Sequence, residues 1–276
     1  MAFTNLIRFR DEAGSIWYGD IPEEFLDRIV GSQVPILEGD LFEDTLVSNG
    51  QTAVVQQVLC PLEKVPLILC IGLNYARHAQ EANLPIPPSP VLFIKPPAAL
   101  AGPFDDIKVP PHALHLDYEG ELCLIIKKDG KDISEAEADD YILGCTAGND
   151  VSSRYWQRPP HSGGQYCYAK GFDGFAPIGP TIRATQKTDM SNLRLETTVN
   201  GEQRQSTITS DVLFNPRQIV SHLSRGYTLS KGTVIMTGTP DGIAGRMPGQ
   251  PWLQNKDVVR VSISGVGSIE NRIISP

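Results

Sequence analysis

The chain has 276 residues, of which 41% are hydrophobic and 20% are charged, and its formal net charge at pH 7 is -8. This composition is typical of a globular protein and argues against a disordered one. The excess of acidic residues, without any run rich in Lys and Arg, argues against a nucleic-acid partner.

The sequence contains no recognisable targeting or membrane segment. Its first residues lack the apolar stretch of a signal peptide, and Asp11 and Glu12 are untypical of a mitochondrial transit peptide. No apolar run approaches the roughly eighteen residues that a membrane span needs. We therefore expect a cytoplasmic protein without a membrane partner.

Strand-like runs bounded by Gly, Pro, Asn and Asp dominate the chain, so the sequence predicts a β-rich fold. In chain order they are NLIRFR, SIWYGD, QTAVVQQVLC, LILCIG, VLFIKP, GELCLIIKK, LRLETTVNGEQRQ, GTVIMTGTP and DVVRVSISGVGSIENRI. Between two alternating segments, Asn200-Gly201 predicts a hairpin turn. Helical patterns cover only residues 22–31, 134–144 with Ser134 as N-cap, and 215–229.

A break near LCPLEKVP (59–66) separates two parts of different character. We predict a small N-terminal α+β domain over residues 1–60 and a larger domain over residues 65–276. The larger part is too long for a simple stack of hairpins, which suggests a closed or rolled sheet system with its chemistry in the loops.

Five cysteines lie mostly inside apolar runs and form no CxxC pair. Their odd number and spacing predict reduced core residues and argue against a cysteine zinc site. They are Cys60, Cys70, Cys123, Cys145 and Cys167.

Three carboxylates alternate along the predicted strand LDYEGELCLII (116–126), at Asp117, Glu119 and Glu121. Alternation places them on one face, which continues into Cys123 and Ile125, while the other face is apolar. A strand covered on both sides would force these carboxylates to take up protons or to share a cation. The alternative is a charged strand exposed to water.

Asp150 follows another apolar run and adds a third oxygen donor to Glu119 and Glu121. An all-oxygen set suits a hard cation, and Mg²⁺ is favoured because it tolerates a partly hydrated site, with Mn²⁺ or Ca²⁺ as alternatives. Asp150 could instead serve only an Asx turn after Asn149.

His78 and Glu81 are three residues apart, so on one helical turn their side chains face the same way. A carboxylate beside an imidazole fixes its tautomer and raises its basicity, as a general base that activates water requires. The pair precedes a Pro-rich segment that could act as a mobile lid. A surface ion pair is the alternative.

Four further residues are candidates for binding an anionic, oxygen-rich substrate. Arg154 and Gln157 follow Asp150 and would lie on one side of a helical turn, and Lys170 could hold a carbonyl or enolate oxygen. Thr239 lies in MTGTPDGIAG, which lacks the Gly-Lys-Ser/Thr ending of a P-loop, so no nucleotide cofactor is expected. No GxSxG or reactive cysteine motif supports a protein nucleophile.

Taken together, the motifs resemble the fumarylacetoacetate hydrolase superfamily. Its signature order runs through residues 65 to 276 as IGLNYARHAQE, PVLFIKP, DYEGEL, GNDVSSRYWQ, AKGFDGFAPIGP, VNGE and MTGTPDGI. Each motif is weak alone, but seven in order are specific. One departure is Gly120, which stands where a branched apolar residue is usual and could loosen the strand locally.

The resemblance implies a mixed β-sandwich roll with a small N-terminal domain, usually in a homodimer, and it assigns roles to the candidate residues. Glu119, Glu121 and Asp150 would be metal ligands, His78 and Glu81 the dyad that activates water, and Lys170 the group that stabilises an enolate or oxyanion. Arg154, Gln157 and Thr239 would contact the substrate.

The function implied is that of a divalent-metal-dependent enzyme for small 2-oxo or 1,3-dicarbonyl acids. We expect C–C bond cleavage, either hydrolysis of an acylpyruvate or decarboxylation of oxaloacetate, through an enolate. The alternatives are a keto–enol tautomerase of oxaloacetate, a hydrolase or isomerase for a larger diketone, and a non-catalytic metal-binding homologue.

Overall fold

A computed structural model describes residues 3–43, 45–81 and 85–276, without the side chains of His78 and Ala79. The strands in this part of the chain are β1 (Asn5–Arg10), β2 (Ile16–Asp20), β3 (Gln33–Glu38), β4 (Val47–Val54), β5 (Gln57–Leu59), β6 (Ile68–Gly72), β7 (Val91–Lys95), β8 (Leu100–Ala101), β9 (Ile107–Lys108), β10 (Leu116–Asp117), β11 (Gly120–Ile126), β12 (Gly130–Lys131), β13 (Ile142–Asn149), β14 (Ser152–Ser153), β15 (Ala176–Ala184), β16 (Arg194–Val199), β17 (Glu202–Ile208), β18 (Thr228–Leu229), β19 (Val234–Met236), β20 (Val258–Ile263) and β21 (Gly267–Ile274).

Helices are short. The described α-helices are α1 (Ala76–Glu81), α2 (Arg154–Gln157), α3 (Cys167–Lys170) and α4 (Pro216–Ser224). The helix predicted over 215–229 is confirmed as α4, with Asn215 and Gln218 forming a capping box, but it ends five residues early.

Two helix predictions are wrong. Residues 22–31 contain only a 3-10 turn at Glu23–Phe25, and residues 134–144 only one at Ala138–Tyr141. In the second case Ile142 already begins β13, which is buried throughout. Tertiary pairing with β11 and β15 therefore overrides the local helical pattern.

A large mixed sheet and a smaller sheet form the sandwich roll. The large sheet has the order β4-β3-β2-β1-β15-β13-β11-β19-β6-β7, with β5 beside β1 and β8 beside β15. The smaller sheet has the order β17-β16-β20-β21-β9. Most neighbours are antiparallel, but β6 and β19, β8 and β15, and β9 and β21 run parallel. These sheets confirm the prediction of a β-rich α+β fold.

The faces of β11 contribute to two different cores. Leu122, Leu124 and Ile126 pack with residues of the smaller sheet and of α4, whereas Cys123 and Ile125 pack on the opposite face. The strand is thus covered on both sides, as its sequence predicts.

All five cysteines are free: Cys70, Cys123 and Cys145 are buried, and Cys60 and Cys167 are half-buried.

The N-terminal segment has a small hydrophobic cluster of its own, which includes Ile7, Phe9 and Val34. It also continues the large sheet, because Asn5 and Leu6 of β1 pair with Arg183 and Ile182 of β15. The division into domains at residues 60 and 65 remains a prediction.

The predicted hairpin is confirmed between β16 and β17. Asn200 and Gly201 have φ values of 51° and 81°, the left-handed conformation that a tight two-residue hairpin turn requires.

Among the described helices, none has the length and apolarity that crossing a membrane demands.

Candidate active site

The acidic segment 116–121 is not one continuous strand. Leu116 and Asp117 pair with Ser153 and Ser152, whereas β11 begins only at Gly120, opposite Asn149. The Asp150 backbone N–H donates to the Glu119 carbonyl at 2.8 Å. This pairing places the carboxylates of the two chain segments at one end of the large sheet.

Glu119, Glu121 and Asp150 form a compact buried triad. One carboxylate oxygen of each lies within 4.8 Å of the others, and the three residues are 7%, 1% and 0% exposed. Burial, followed by the charges of Asp150 and Glu119, raises the pKa of Glu121 well above its usual range. A divalent cation would remove this repulsion, and the all-oxygen donor set fits a hard cation.

Lys170 bridges two members of the triad from α3. Its Nζ donates to Asp150 Oδ2 at 2.6 Å, to Glu119 Oε2 at 2.9 Å and to Ser152 Oγ at 2.7 Å. Burial lowers the pKa of Lys170, but Asp150 and Glu119 outweigh it, so the net shift is upward. Lys170 is therefore a buried cation with its three protons engaged, rather than a base.

Lys95, at the end of β7, is a second buried cation that the sequence patterns did not single out. Its Nζ lies 2.6 Å from Asp150 Oδ1 and donates to the Val151 and Phe175 carbonyls at 3.1 and 2.5 Å. The signals in the sequence were that this lysine lies inside an apolar run, VLFIKP, where a charge needs a partner, and that the run belongs to the motif PVLFIKP.

Arg154 lies at the start of α2 and joins Asp117 to Glu119. Its Nε donates to Asp117 Oδ2 at 2.7 Å, its Nη2 lies 2.5 Å from Glu119 Oε1, and its Nη1 donates to Gln157 Oε1 at 2.6 Å. Asp117 also accepts the Ala244 and Gly245 backbone N–H groups. Asp117 thus positions both Arg154 and the 242–246 loop.

Thr239 belongs to a hydrogen-bond network that holds the backbone of Gly120, between the two glutamates of the triad. Thr239 Oγ1 donates to the Gly120 carbonyl at 2.9 Å and accepts from Gln205 Nε2 at 2.8 Å. Gln205 Oε1 accepts the Gly120 N–H at 3.0 Å. A Cβ on Gly120 would lie 2.1 Å from Thr197 Oγ1, so close packing, and not looseness, accounts for this glycine.

The predicted dyad lies only partly within the described structure. Helix α1 carries His78 and Glu81 three residues apart, but the His78 side chain lies outside the described residues. The exposed Glu81 carboxylate accepts the Gly242 N–H at 3.3 and 3.4 Å. The catalytic role of the dyad remains a prediction.

A cavity of about 240 Å³ opens onto Glu119 and Lys170. The predicted substrate-binding residues Arg154, Gln157 and Thr239 also line it. Its remaining walls include residues that the sequence patterns missed, among them Phe93, Tyr166, Ile243, Arg158 and Arg246. Arg158 follows Gln157 directly, and Arg246 follows the MTGTPDGIAG segment directly; these positions were the only local signals.

Comparison with known proteins gives consistent similarities. Residues 67–274 match the family model described as fumarylacetoacetate (FAA) hydrolase C-terminal. The chain is 40% identical over 216 residues to the fumarylacetoacetate hydrolase domain-containing protein 2 homolog of Dictyostelium discoideum, covering 75% of this chain and 70% of the relative. It is 36% identical over 218 residues to the oxaloacetate tautomerase fahd2, mitochondrial, of Xenopus laevis, covering 79% and 68%.

A solved structure is similar over nearly the whole chain. The 2-hydroxyhepta-2,4-diene-1,7-dioate isomerase from Mycobacterium marinum superposes with a TM-score of 0.83 at 31% identity, covering 99% of this chain and 98% of its own. The similarity therefore extends over the N-terminal strands as well as the site.

Proposed function

Since this chain belongs to the fumarylacetoacetate hydrolase family, we propose that it is a divalent-metal-dependent enzyme that interconverts the keto and enol forms of a small 2-oxo acid of the oxaloacetate type. The names of the similar proteins, a tautomerase and an isomerase, support proton transfer without bond cleavage. The buried carboxylate triad bridged by Lys170 is the observation that carries the proposal.

Glu119, Glu121 and Asp150 are the residues that would hold the cation, with Mg²⁺ favoured and Mn²⁺ or Ca²⁺ as alternatives. A bound divalent cation would supply positive charge that polarises the 2-oxo group and stabilises negative charge on its oxygen. All three side chains are already held by backbone or lysine contacts, so the donor set is preorganised.

Lys170 adds a fixed positive charge beside the cavity, where negative charge would develop on the substrate. Because its three protons are engaged, a substrate oxygen would replace one of the present acceptors. Gln157 and Thr239 line the same cavity and would orient the substrate, and Arg154 would act mainly by holding Glu119 and Gln157.

His78 is the candidate proton carrier. It lies three residues before Glu81 in helix α1, and the Glu81 carboxylate accepts the N–H of Gly242, next to the cavity residue Ile243. An imidazole oriented by a carboxylate can take a proton from the carbon next to a 2-oxo group and return it to oxygen. The cavity volume of about 240 Å³ suits a substrate of a few carbon atoms.

The second candidate is C–C bond cleavage of an acylpyruvate or of oxaloacetate. The His78–Glu81 spacing favours it, because hydrolysis requires a base that activates water.

We also propose that the protein is a homodimer, as the family resemblance implies. Light scattering in solution tests this oligomeric state.

One panel of assays separates the candidates. The purified protein is stripped with a chelator, reloaded with Mg²⁺ or Mn²⁺, and assayed for decay of enol-oxaloacetate absorbance, for pyruvate formation and for acylpyruvate cleavage. We expect tautomerisation to require metal and to exceed both cleavage rates. Faster cleavage would select the second candidate, and no turnover of any substrate, larger diketones included, would indicate a non-catalytic homologue.

A further inference from the structure

Two arginines line the cavity without an acidic ion-pair partner among the described residues. Arg158 is half-buried; its Nη2 donates to the Gly245 carbonyl at 3.1 Å, and its guanidinium lies 5.3 Å from the Trp252 ring centroid. Arg246 is exposed, and its backbone N–H donates to Ile243. Within the described residues, neither guanidinium forms an ion pair, whereas Arg154 forms two.

Arg154 and Arg158 approach the same loop at Gly245, and Arg246 is the next residue of that loop. A Cβ placed on Gly245 would lie 3.4 Å from Arg154 Nε and 3.4 Å from Arg158 Nη2. Burial, and then the charges of Arg154 and Arg246, lower the pKa of Arg158. Positive charges that lie close together at one cavity favour an anion there.

The buried cations at and behind the cavity already pair with carboxylates of the protein. Lys95 pairs with Asp150, Lys170 pairs with Glu119 and Asp150, and Arg154 pairs with Asp117 and Glu119. The distal carboxylate of a diacid therefore needs other partners.

We propose that Arg158 and Arg246 form a subsite for the distal carboxylate of a dicarboxylate substrate. This inference rests on the proposed function and narrows it, because a 2-oxo diacid carries the charge that the subsite binds and an acylpyruvate with a neutral tail does not. Arg158 is held by Trp252 and Gly245, and its fork can bind a carboxylate with two hydrogen bonds. Arg246 completes the pair from the solvent side.

A matched pair of substrates tests the subsite. Oxaloacetate and its 4-methyl ester share the 2-oxo acid and the enol chromophore but differ in the distal charge. In Arg158→Gln and in Arg246→Gln, the ratio of kcat/KM for oxaloacetate to that for the ester should fall about 10-fold, since a charged hydrogen-bond partner is lost. The loss should lie mainly in KM, and the double variant should lose more.

Arg194→Gln is the matched control, because Arg194 is exposed, pairs with Glu196 and lies outside this cavity. It should leave the ratio unchanged. Arg246→Gln removes an exposed side chain, so it keeps the test valid if Arg158→Gln folds poorly.

Two outcomes would overturn the inference, and they are distinguishable. The first is an unchanged ratio of kcat/KM for oxaloacetate to that for the ester in a folded Arg246→Gln variant and in the double variant, while the wild type is active. This result would contradict the subsite and leave the proposed function intact. A wild-type protein that tautomerises neither substrate would remove the proposed function and the subsite with it.

Discussion

Lys170 Nζ lies 2.6 Å from Asp150 Oδ2, and both side chains are buried. Lys95 Nζ lies at the same distance from the other oxygen, Asp150 Oδ1. Each oxygen of Asp150 therefore has its own ammonium partner. Removing one member of a buried charge cluster leaves its partner uncompensated, which is more costly than losing an exposed pair.

We expect Lys95→Met and Lys170→Met each to lower the free energy of unfolding by about 3 kcal/mol. Only Lys170 lines the cavity, so Lys170→Met should reduce the metal-supported tautomerisation rate about 100-fold more than Lys95→Met does. Urea unfolding and initial rates measure the two effects. Lys231→Met, at an exposed pair with Glu43, is the control. Equal rate losses in both buried variants would limit Lys170 to a structural role.

Glu121→Gln should separate two effects of the buried carboxylate: its destabilisation of the metal-free protein and its contribution to metal binding. The amide keeps an acceptor for the Gly238 N–H, which lies 2.7 Å from Glu121 Oε2, but removes a negative charge from the triad. Without divalent ions the variant should unfold at the same temperature as wild type or higher. With Mg²⁺ at about 100 times its dissociation constant, wild type should gain about 2.7 kcal/mol and the variant far less. An equal gain in both proteins would exclude Glu121 as a ligand.

His78→Ala tests the dyad through three reactions of one protein. Acylpyruvate hydrolysis should be abolished, and tautomerisation should fall about 100-fold or more, because both need a proton carrier. Oxaloacetate decarboxylation needs no attack by water and should be largely retained. Arg77→Ala, the neighbouring exposed position on α1, is the control. Rates equal to wild type in all three reactions would remove His78 from the mechanism.

Gly120→Ala should disturb the metal site through packing alone. The added methyl group would lie 2.1 Å from Thr197 Oγ1 and 3.2 Å from Val261 Cγ1. We expect a loss of stability of about 1–3 kcal/mol and weaker metal binding, since Glu119 and Glu121 flank this position. Thr197→Ala in the same chain should restore part of the stability. Gly72→Ala, where the nearest atoms would be 3.8 Å from the new Cβ, should cost little.

Local sequence patterns predicted most of the strands but not all. β15 was missed because Pro177 and Pro180 lie inside it, and proline normally argues against an interior strand. The predicted helix over 134–144 extends into the first three residues of β13, 142–144, because Ile142 and Leu143 directly continue a helical pattern that begins with an N-cap. In both cases, pairing with neighbouring strands decided the conformation.

The sequence by itself determined that the chain is β-rich, that Glu119, Glu121 and Asp150 are candidate ligands, and which family the motifs resemble, because alternation, turn residues and motif order are local properties. Only the tertiary structure decided that Lys95 and Lys170 share Asp150, that Gly120 lies against Thr197, and that Arg158 and Arg246 meet at one cavity. These relationships join residues far apart in the chain, and charge balance and close packing depend on distances in space that no local pattern records.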